Sequence, residues 1–361
     1  MNVCIVAGAR PNFIKVAPIM WAIQKAKEQG RDIDCRLVYA GRDDDPTLEP
    51  SLFADLEIRR PDVFLGVDCE NLNELTGQVM SAFERYLQAN KTDVVIVVDD
   101  LASTMAAAIV TKKQGILLAH LVAGTRSFDI NMPKEINRLV IDGLSDLLFT
   151  AGMGSQSTAA REGSQEKVYM VGNILMDTLR HNRNKLVTPQ SASLPSSPYL
   201  VFTLNRKALL ADEENMKKML EAIVKSANGM TIYAPLRNKA KALVCASFPS
   251  EGPTAPITFL PPLSYLEFGW LTAHAQGIIT DSGNVAEEAT FNGVPCITLN
   301  SYTEHIETVK VGTNVLVGED AEVLGTYVDK MVRGEWKPSA IPERWDGRSA
   351  ERIVQILLDR R

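Results

Sequence analysis

At 361 residues, with 45% hydrophobic and 23% charged side chains, the chain is long enough for two domains with sizeable cores. A formal net charge of −6 argues against a nucleic-acid partner, which calls for a basic surface. No apolar run approaches the roughly 20 residues that span a bilayer, and the N-terminus enters a strand-like run with no basic region before it, so no membrane segment or secretory signal is read and a cytoplasmic protein is expected.

In chain order, residues 3–6 read as a strand and 12–29 as a helix closed by Gly30. Residues 35–39 and 63–65 read as strands, 71–89 as a helix and 94–98 as a strongly β-branched strand. Helix 103–114, strand 116–121, helix 132–145 and strands 147–150 and 168–171 follow, and then a helix after Asn173. The stretch 187–198 is rich in Pro and Ser and reads as a linker. Beyond it the alternation restarts, with strands at 199–203, 231–234, 257–260, 277–280, 295–299 and 314–317. Helices are read at 212–226, 263–273, 284–292 and 321–332, then a loop at 334–342 and a terminal helix at about 351–359. Repeated β-α-β alternation implies parallel sheets with helices on both faces. The fold class is therefore α/β, with two Rossmann-like doubly wound domains whose ligands lie beyond the carboxyl ends of the strands.

Five cysteines are scattered without a C-x-x-C, and Cys4, Cys35 and Cys296 fall in strand-like runs where a buried thiol is expected. The four histidines (His120, His181, His274 and His305) lack metal-ligand spacing, so no metal site is expected.

The most telling string is Asp281-Ser282-Gly283-Asn284-Val285-Ala286-Glu287-Glu288-Ala289, where a strand ends in a small-residue turn and opens a helix. Free N–H groups and the helix dipole at such a start favour a phosphate. Glu288 is placed to accept hydrogen bonds from a ribose diol, whereas Glu287 reads as a helix-surface acid. An ordinary capped helix is the competing reading of the string. Arg10 and Lys15, five apart at a loop-to-helix junction, are both placed to face a phosphate, against the alternative of solvated surface charge. Asp100 follows a buried strand and is read as an acid/base group, against the alternative of a helix N-cap or strand-end acid. Asp99 is not joined to it as a dyad, because neighbours on an extended segment point to opposite faces.

These strings together resemble the non-hydrolysing UDP-N-acetylglucosamine 2-epimerase family. Asp281–Ala289 resembles that family's D-S-G-G-x-Q-E-E-A, and Gly8-Ala9-Arg10-Pro11-Asn12-Phe13-Ile14-Lys15 its G-T-R-P-E-x-I-K. Asp99-Asp100-Leu101-Ala102-Ser103-Thr104 resembles G-D-T-x-S-T, and Ala123-Gly124-Thr125-Arg126-Ser127 resembles A-G-L-R-S. Met132-Pro133-Lys134-Glu135-Ile136-Asn137-Arg138 resembles M-P-E-E-x-N-R, Val171-Gly172-Asn173 matches V-G-N, and Thr303–Glu307 resembles T-E-R-P-E. The resemblance implies the glycosyltransferase-B arrangement, two domains facing a cleft: 1–186, a linker at 187–198, and a UDP-binding domain at 199–345. A last helix, within 346–361, is expected to pack back on the first domain. The resemblance also implies a homodimer and a UDP-sugar ligand, with no external cofactor. The family reaction eliminates UDP across C1–C2 of the sugar and adds it back with the C2 proton on the other face. The resemblance assigns Lys15, Asp100, Glu135 and Arg138 to catalysis and Arg10, Ser282, Gly283 and Glu288 to UDP.

Some positions depart from the family pattern. Val122 stands at a catalytic glutamate of H-V-E-A-G, and Lys134 at the first glutamate of P-E-E. In Thr203-Leu204-Asn205-Arg206-Lys207-Ala208-Leu209, Asn205 replaces the histidine, Ala208 the glutamate and Leu209 the asparagine of T-x-H-R-x-E-N. Val cannot move a proton, and Asn is no base near pH 7. At the family's activator site, Gly41-Arg42-Asp43, Glu70-Asn71-Leu72, Arg237 and Lys239 replace the pattern, so regulation by a second substrate molecule is not expected. Three readings follow: a divergent 2-epimerase, a catalytically silent UDP-sugar-binding homologue or epimerase partner subunit, and a different UDP-sugar hydrolase or glycosyltransferase. The order of the motifs favours the first.

Overall fold

A computed structural model of the chain describes residues 1–162, 165–190, 198–206, 209–236, 238–248 and 255–360. Residues 191–197 of the expected linker, Lys207, Ala208 and Arg237 lie outside the described residues. The chain forms two compact units, Met1–His181 with Glu343–Arg361, and Asn182–Pro342.

The first unit is built on seven parallel strands: β1 (Asn2–Ala7), β2 (Asp34–Tyr39), β3 (Val63–Phe64), β4 (Val94–Val98), β5 (Leu117–Leu121), β6 (Leu147–Thr150) and β7 (Val168–Met170). Their order is β3-β2-β1-β4-β5-β6-β7. The central strand β4 is Val-Val-Ile-Val-Val and wholly buried, as a strand covered by helices on both faces requires. The order reverses between β1 and β4, which pair through Val3 and Val94. Loops leaving these two strands diverge and open a crevice at their carboxyl ends. That crevice receives Gly8–Arg10 after β1 and Asp99–Asp100 after β4.

The second unit carries six parallel strands: β8 (Tyr199–Phe202), β9 (Thr231–Ala234), β10 (Ile257–Phe259), β11 (Gly277–Thr280), β12 (Cys296–Thr298) and β13 (Asn314–Leu316). The order β10-β9-β8-β11-β12-β13 reverses between β8 and β11. This second switch point places the loop after β8, with Asn205 and Arg206, beside Asp281 and Ser282 after β11.

The C-terminal segment belongs to the first unit, where helix Ser349–Asp359 packs on helix Arg10–Glu28. Trp345 is 0% exposed and its indole N–H donates to the Ala151 carbonyl at 3.1 Å. Asp177 accepts from the amides of Ser349 (3.1 Å) and Ala350 (2.8 Å), satisfying the open start of that last helix. Gly172 has φ 100°, and a Cβ there would lie 2.0 Å from the Arg344 carbonyl oxygen, so the Val-Gly-Asn string needs its glycine.

Helices Pro50–Asp55, Met153–Glu162, Asn238–Ser247 and Ile306–Lys310 are not read from the sequence. They are short, and Met153–Glu162 is polar with only Thr158 and Ala159 buried. Such segments lack an apolar period and owe their helicity to tertiary packing. No helix among the described residues is long and apolar enough to cross a membrane.

Candidate active site

The turn after β4 is the centre of the first unit's site. Asp99 is in the left-handed region, with φ 59°, which Asp tolerates better than most residues. This conformation sends Asp99 and Asp100 to opposite sides. Asp99 turns toward helix Arg10–Glu28, where it accepts from Lys15 Nζ (2.6 Å) and Asn12 Nδ2 (2.8 Å). Asp100 turns toward helix Pro133–Leu144, where Arg138 donates to its Oδ2 through Nε at 2.8 Å and lies 2.6 Å away through Nη2. Lys134 Nζ lies 3.5 Å from the other Asp100 oxygen. Burial by itself raises the Asp100 carboxyl, but Lys134, Arg138 and Lys15 outweigh it and hold the group below the ordinary aspartate value. The helix that follows begins after Leu101, so Asp100 is not its cap.

Helix Pro133–Leu144 is inside out. Its buried residues are Glu135, Arg138, Ile141 and Asp142, whereas Ile136 and Leu139 are exposed. Glu135 and Arg138 share a face three residues apart and pair at 3.2 Å. Glu135 also accepts from the Ser127 amide (2.9 Å), the Ser127 hydroxyl (2.9 Å) and the Phe128 amide (3.1 Å). Burial raises its carboxyl and these donors overcome it, leaving the value lowered. Glu135, which the resemblance assigns to catalysis, has its oxygens filled by local donors: it anchors the loop 127–128 and pairs with Arg138.

Below this turn runs a buried polar chain that the sequence reading does not assign. His120, on β5, has Nε2 2.9 Å from the Asp99 carbonyl oxygen and Nδ1 2.5 Å from Asp142. Asp142 also accepts from the Gly124 amide at 3.0 Å and lies 2.8 Å from Arg126 Nη1, and Arg126 in turn pairs with Glu162. The backbone position of the Asp99–Asp100 turn is therefore fixed from beneath by His120. The available signal was the spacing Glu135, Arg138, Asp142, three charges on the face of Ile141 in an otherwise amphipathic helix. Val122, at the end of β5, has φ 72°, a conformation that strains a β-branched residue. The Ala123 amide on the Phe149 carbonyl (3.0 Å) and the Thr125 hydroxyl on the Val122 carbonyl (3.3 Å) hold it there.

The expected phosphate contacts from Arg10 and Lys15 divide. Arg10 is 36% exposed at its side chain and makes a long, solvated ion pair with Glu49 at 3.9 Å. Lys15 is buried and committed to Asp99.

In the second unit, Ser282 stands at the N-cap of helix Gly283–Asn292 but its side chain makes no capping bond. Gly283 is exposed, and a Cβ there would meet nothing within 4 Å. The Ser282 amide donates to the Thr280 hydroxyl at 3.0 Å, so the amides this helix start leaves for an anion are those of Gly283 and Asn284. Asp281 shapes the neighbouring loop: its Oδ2 accepts from the amides of Asn205 (2.7 Å) and Arg206 (2.5 Å). The side chain of Arg206 bonds Asn300.

Glu288 is 7% exposed, and no donor among the described residues reaches its carboxyl. Burial, with Glu287 adding to it, pushes Glu288 up to about 8. The Tyr265 hydroxyl beside it is buried and also unpartnered. Glu287 is no surface acid: it is 2% exposed and faces His305 Nδ1 at 3.3 Å, because the helix turns both glutamates inward between β11 and helix Ile306–Lys310.

This geometry has a consequence for stability. Below the ordinary carboxylate value of 4.5, folded and unfolded chains both hold the Glu288 proton. As pH rises from there to about 8, the unfolded chain loses it and the folded protein keeps it, so stability falls. Glu288→Gln removes that loss, which is about 1.4 kcal/mol per pH unit at most. Its melting temperature is expected to match the native chain near pH 4.5 and to exceed it increasingly up to pH 8, then level off. A difference in melting temperature that does not change with pH would refute the raised Glu288.

Two parallel α/β sheets, each with its functional loops at a switch point, and a strand–Ser–Gly–helix turn in the second define the glycosyltransferase-B type of nucleotide-sugar protein. A family model described as UDP-N-acetylglucosamine 2-epimerase matches residues 25–358. The UDP-N-acetylglucosamine 2-epimerase of Methanocaldococcus jannaschii is 34% identical over 370 aligned residues, covering 99% of this chain and 99% of that protein. The crystal structure of the M. jannaschii enzyme with UDP-GlcNAc and UDP superposes with a TM-score of 0.79 at 32% identity, covering 99% of each chain. The Neisseria meningitidis UDP-GlcNAc 2-epimerase bound to UDP-GlcNAc gives a TM-score of 0.85 at 25% identity, covering 99% of this chain and 100% of that one. The chain belongs to the UDP-N-acetylglucosamine 2-epimerase family, an isomerase family.

Proposed function

We propose that the protein interconverts the C2 epimers of a UDP-N-acetylhexosamine, UDP-GlcNAc in the first instance, with slow turnover. The observation that carries this reading is the Asp100 carboxylate at the end of β4, 2.6 Å from Arg138 and 3.5 Å from Lys134, in a chain that the family model matches over residues 25–358. The second unit binds UDP: the amides of Gly283 and Asn284, with the Ser282 hydroxyl, take the diphosphate, and Glu288 takes the ribose hydroxyls. The first unit handles the proton. Asp100 removes the C2 proton, the C–H electron pair forms the C1–C2 double bond and the C1–O pair leaves with UDP; the glycal so formed takes back UDP at C1 and a proton from solvent water on the opposite face of C2. Arg138 orients Asp100 and Glu135 orients Arg138, while Arg10 meets the charge that develops on departing UDP.

Slow turnover follows from proton supply. Val122, Lys134 and Asn205 stand where the family pattern has two glutamates and a histidine. Asp100 is held low by its cations and is a weak base. The same feature favours a second reading, a nucleotide-sugar-binding homologue without turnover. Incubation with UDP-GlcNAc in deuterated water, followed at C2 by NMR, separates them. Inversion with deuterium at C2 is expected. Bound but unchanged nucleotide sugar would establish the silent reading, and free N-acetylglucosamine would point to a hydrolase.

A further inference from the structure

Asn12 and Asp99 are linked across the first unit's switch point in a way the assigned site does not use. The Asn12 side-chain oxygen Oδ1 accepts from the backbone amides of Gly8 (2.9 Å) and Ala9 (3.2 Å), the loop that a ligand anion at the end of β1 would meet. The Asn12 side-chain nitrogen Nδ2 donates to the Asp99 carboxylate, which also holds Lys15 at 2.6 Å. Two loop amides and one ammonium are thus drawn into a single network that closes on the Asp99 carboxylate. That carboxylate stands at a left-handed position where the family pattern has Gly, and Asn12 stands where it has Glu.

We propose that Asp99 is a positioning residue that holds Lys15 away from ligand anions, so that anion binding at the β1–β4 switch point depends on Arg10. The inference rests on reading the chain as a UDP-sugar protein. The Lys15 charge is neutralised before any ligand arrives, and the His120 contact to the Asp99 carbonyl keeps the turn in the conformation that delivers the carboxylate to it. Removing the carboxylate while keeping the turn should release the ammonium to an incoming diphosphate.

Asp99→Asn suits this test, because Asn is isosteric with Asp and tolerates the left-handed region. UDP affinity is measured by calorimetry for the native chain, Asp99→Asn and Asp99→Asn/Lys15→Gln, at low and at high sodium chloride. Asp99→Asn is expected to bind UDP about 10-fold tighter at low salt, with the gain shrinking at high salt as the freed charge is screened. Adding Lys15→Gln should abolish the gain, and the affinity for uridine, which has no phosphate, should not change on Asp99→Asn. A purely structural role for Asp99 predicts neither the salt dependence nor the difference between UDP and uridine. Asp99→Gly, which restores the most permissive residue, should act in the same direction. UDP affinity in Asp99→Asn equal to or weaker than native at low salt overturns the proposal, as does a gain that survives Lys15→Gln. If neither the native chain nor the variants bind UDP, the UDP-sugar reading itself fails and this inference with it. Native binding without a gain in Asp99→Asn sinks this inference alone.

Discussion

Asp100→Asn is expected to lower turnover of UDP-GlcNAc by about 10²–10⁴-fold, the usual contribution of one general acid or base. The substituted carboxamide keeps the size of Asp100 and its contact with Arg138, but cannot accept the C2 proton. Arg138 retains Glu135 at 3.2 Å, so the buried cation is not left without a partner and the fold should survive. Some stability will be lost, since breaking a fully buried pair costs about 3–5 kcal/mol and this pair is only half broken. Turnover is therefore compared well below the melting temperature of both proteins. Arg138→Lys is the companion variant. A lysine is a point charge and cannot reach Asp100 and Glu135 together in the planar two-sided manner of the guanidinium. It should also reduce turnover, though less than Asp100→Asn. Deuterium incorporation at C2, read by NMR, is the measurement. Native-like incorporation in Asp100→Asn would remove Asp100 from the mechanism and leave the proton step without its assigned base.

Trp345→Ala is expected to destabilise the first unit by about 3–5 kcal/mol. Trp345 heads the fully buried side chains in size, and it pins the returning C-terminal segment where Gly172 and Arg344 pass in contact. The loss has two parts: a large cavity beside β6 and β7, and an Ala151 carbonyl without its indole donor. Trp345→Phe restores most of the volume but not the hydrogen bond, so it should recover most of the difference. Because the chain has two units, urea unfolding followed by two probes is the suitable measurement. The transition of the first unit should move to lower urea while that of the second stays in place. A shift below about 1 kcal/mol would mean that the segment is docked mainly by helix Ser349–Asp359.

The strand ends and turns that carry the candidate site residues are legible in the sequence. Ser282 and Gly283 sit at a strand-to-helix turn because small residues and a β-branched run signal one locally, and the helix starts there. The pattern of Val94–Val98 dictates a strand buried on both sides, and a parallel order then places Asp100 at its carboxyl end. What could not be read was which partner each charge finds. Lys15 was expected to face a phosphate, and it pairs with a carboxylate 84 residues away. The resemblance assigns Glu135 to catalysis, and its oxygens accept from Ser127 and Phe128 and from Arg138. Glu287 was expected on a helix surface, and it is buried against His305.

The sequence by itself determined the α/β alternation, the two sheets, the family and the positions of the strand-end loops. All of these depend on local periodicity and on short strings whose meaning is carried by neighbours in the chain. Only the tertiary structure decided which charges are paired and which are open. Ion pairs and buried carboxyls are set by distances across elements remote in sequence. The left-handed turn at Asp99 shows how sharply that matters: one backbone angle sends two adjacent aspartates to two different helices, one to hold Lys15 and the other to meet Arg138.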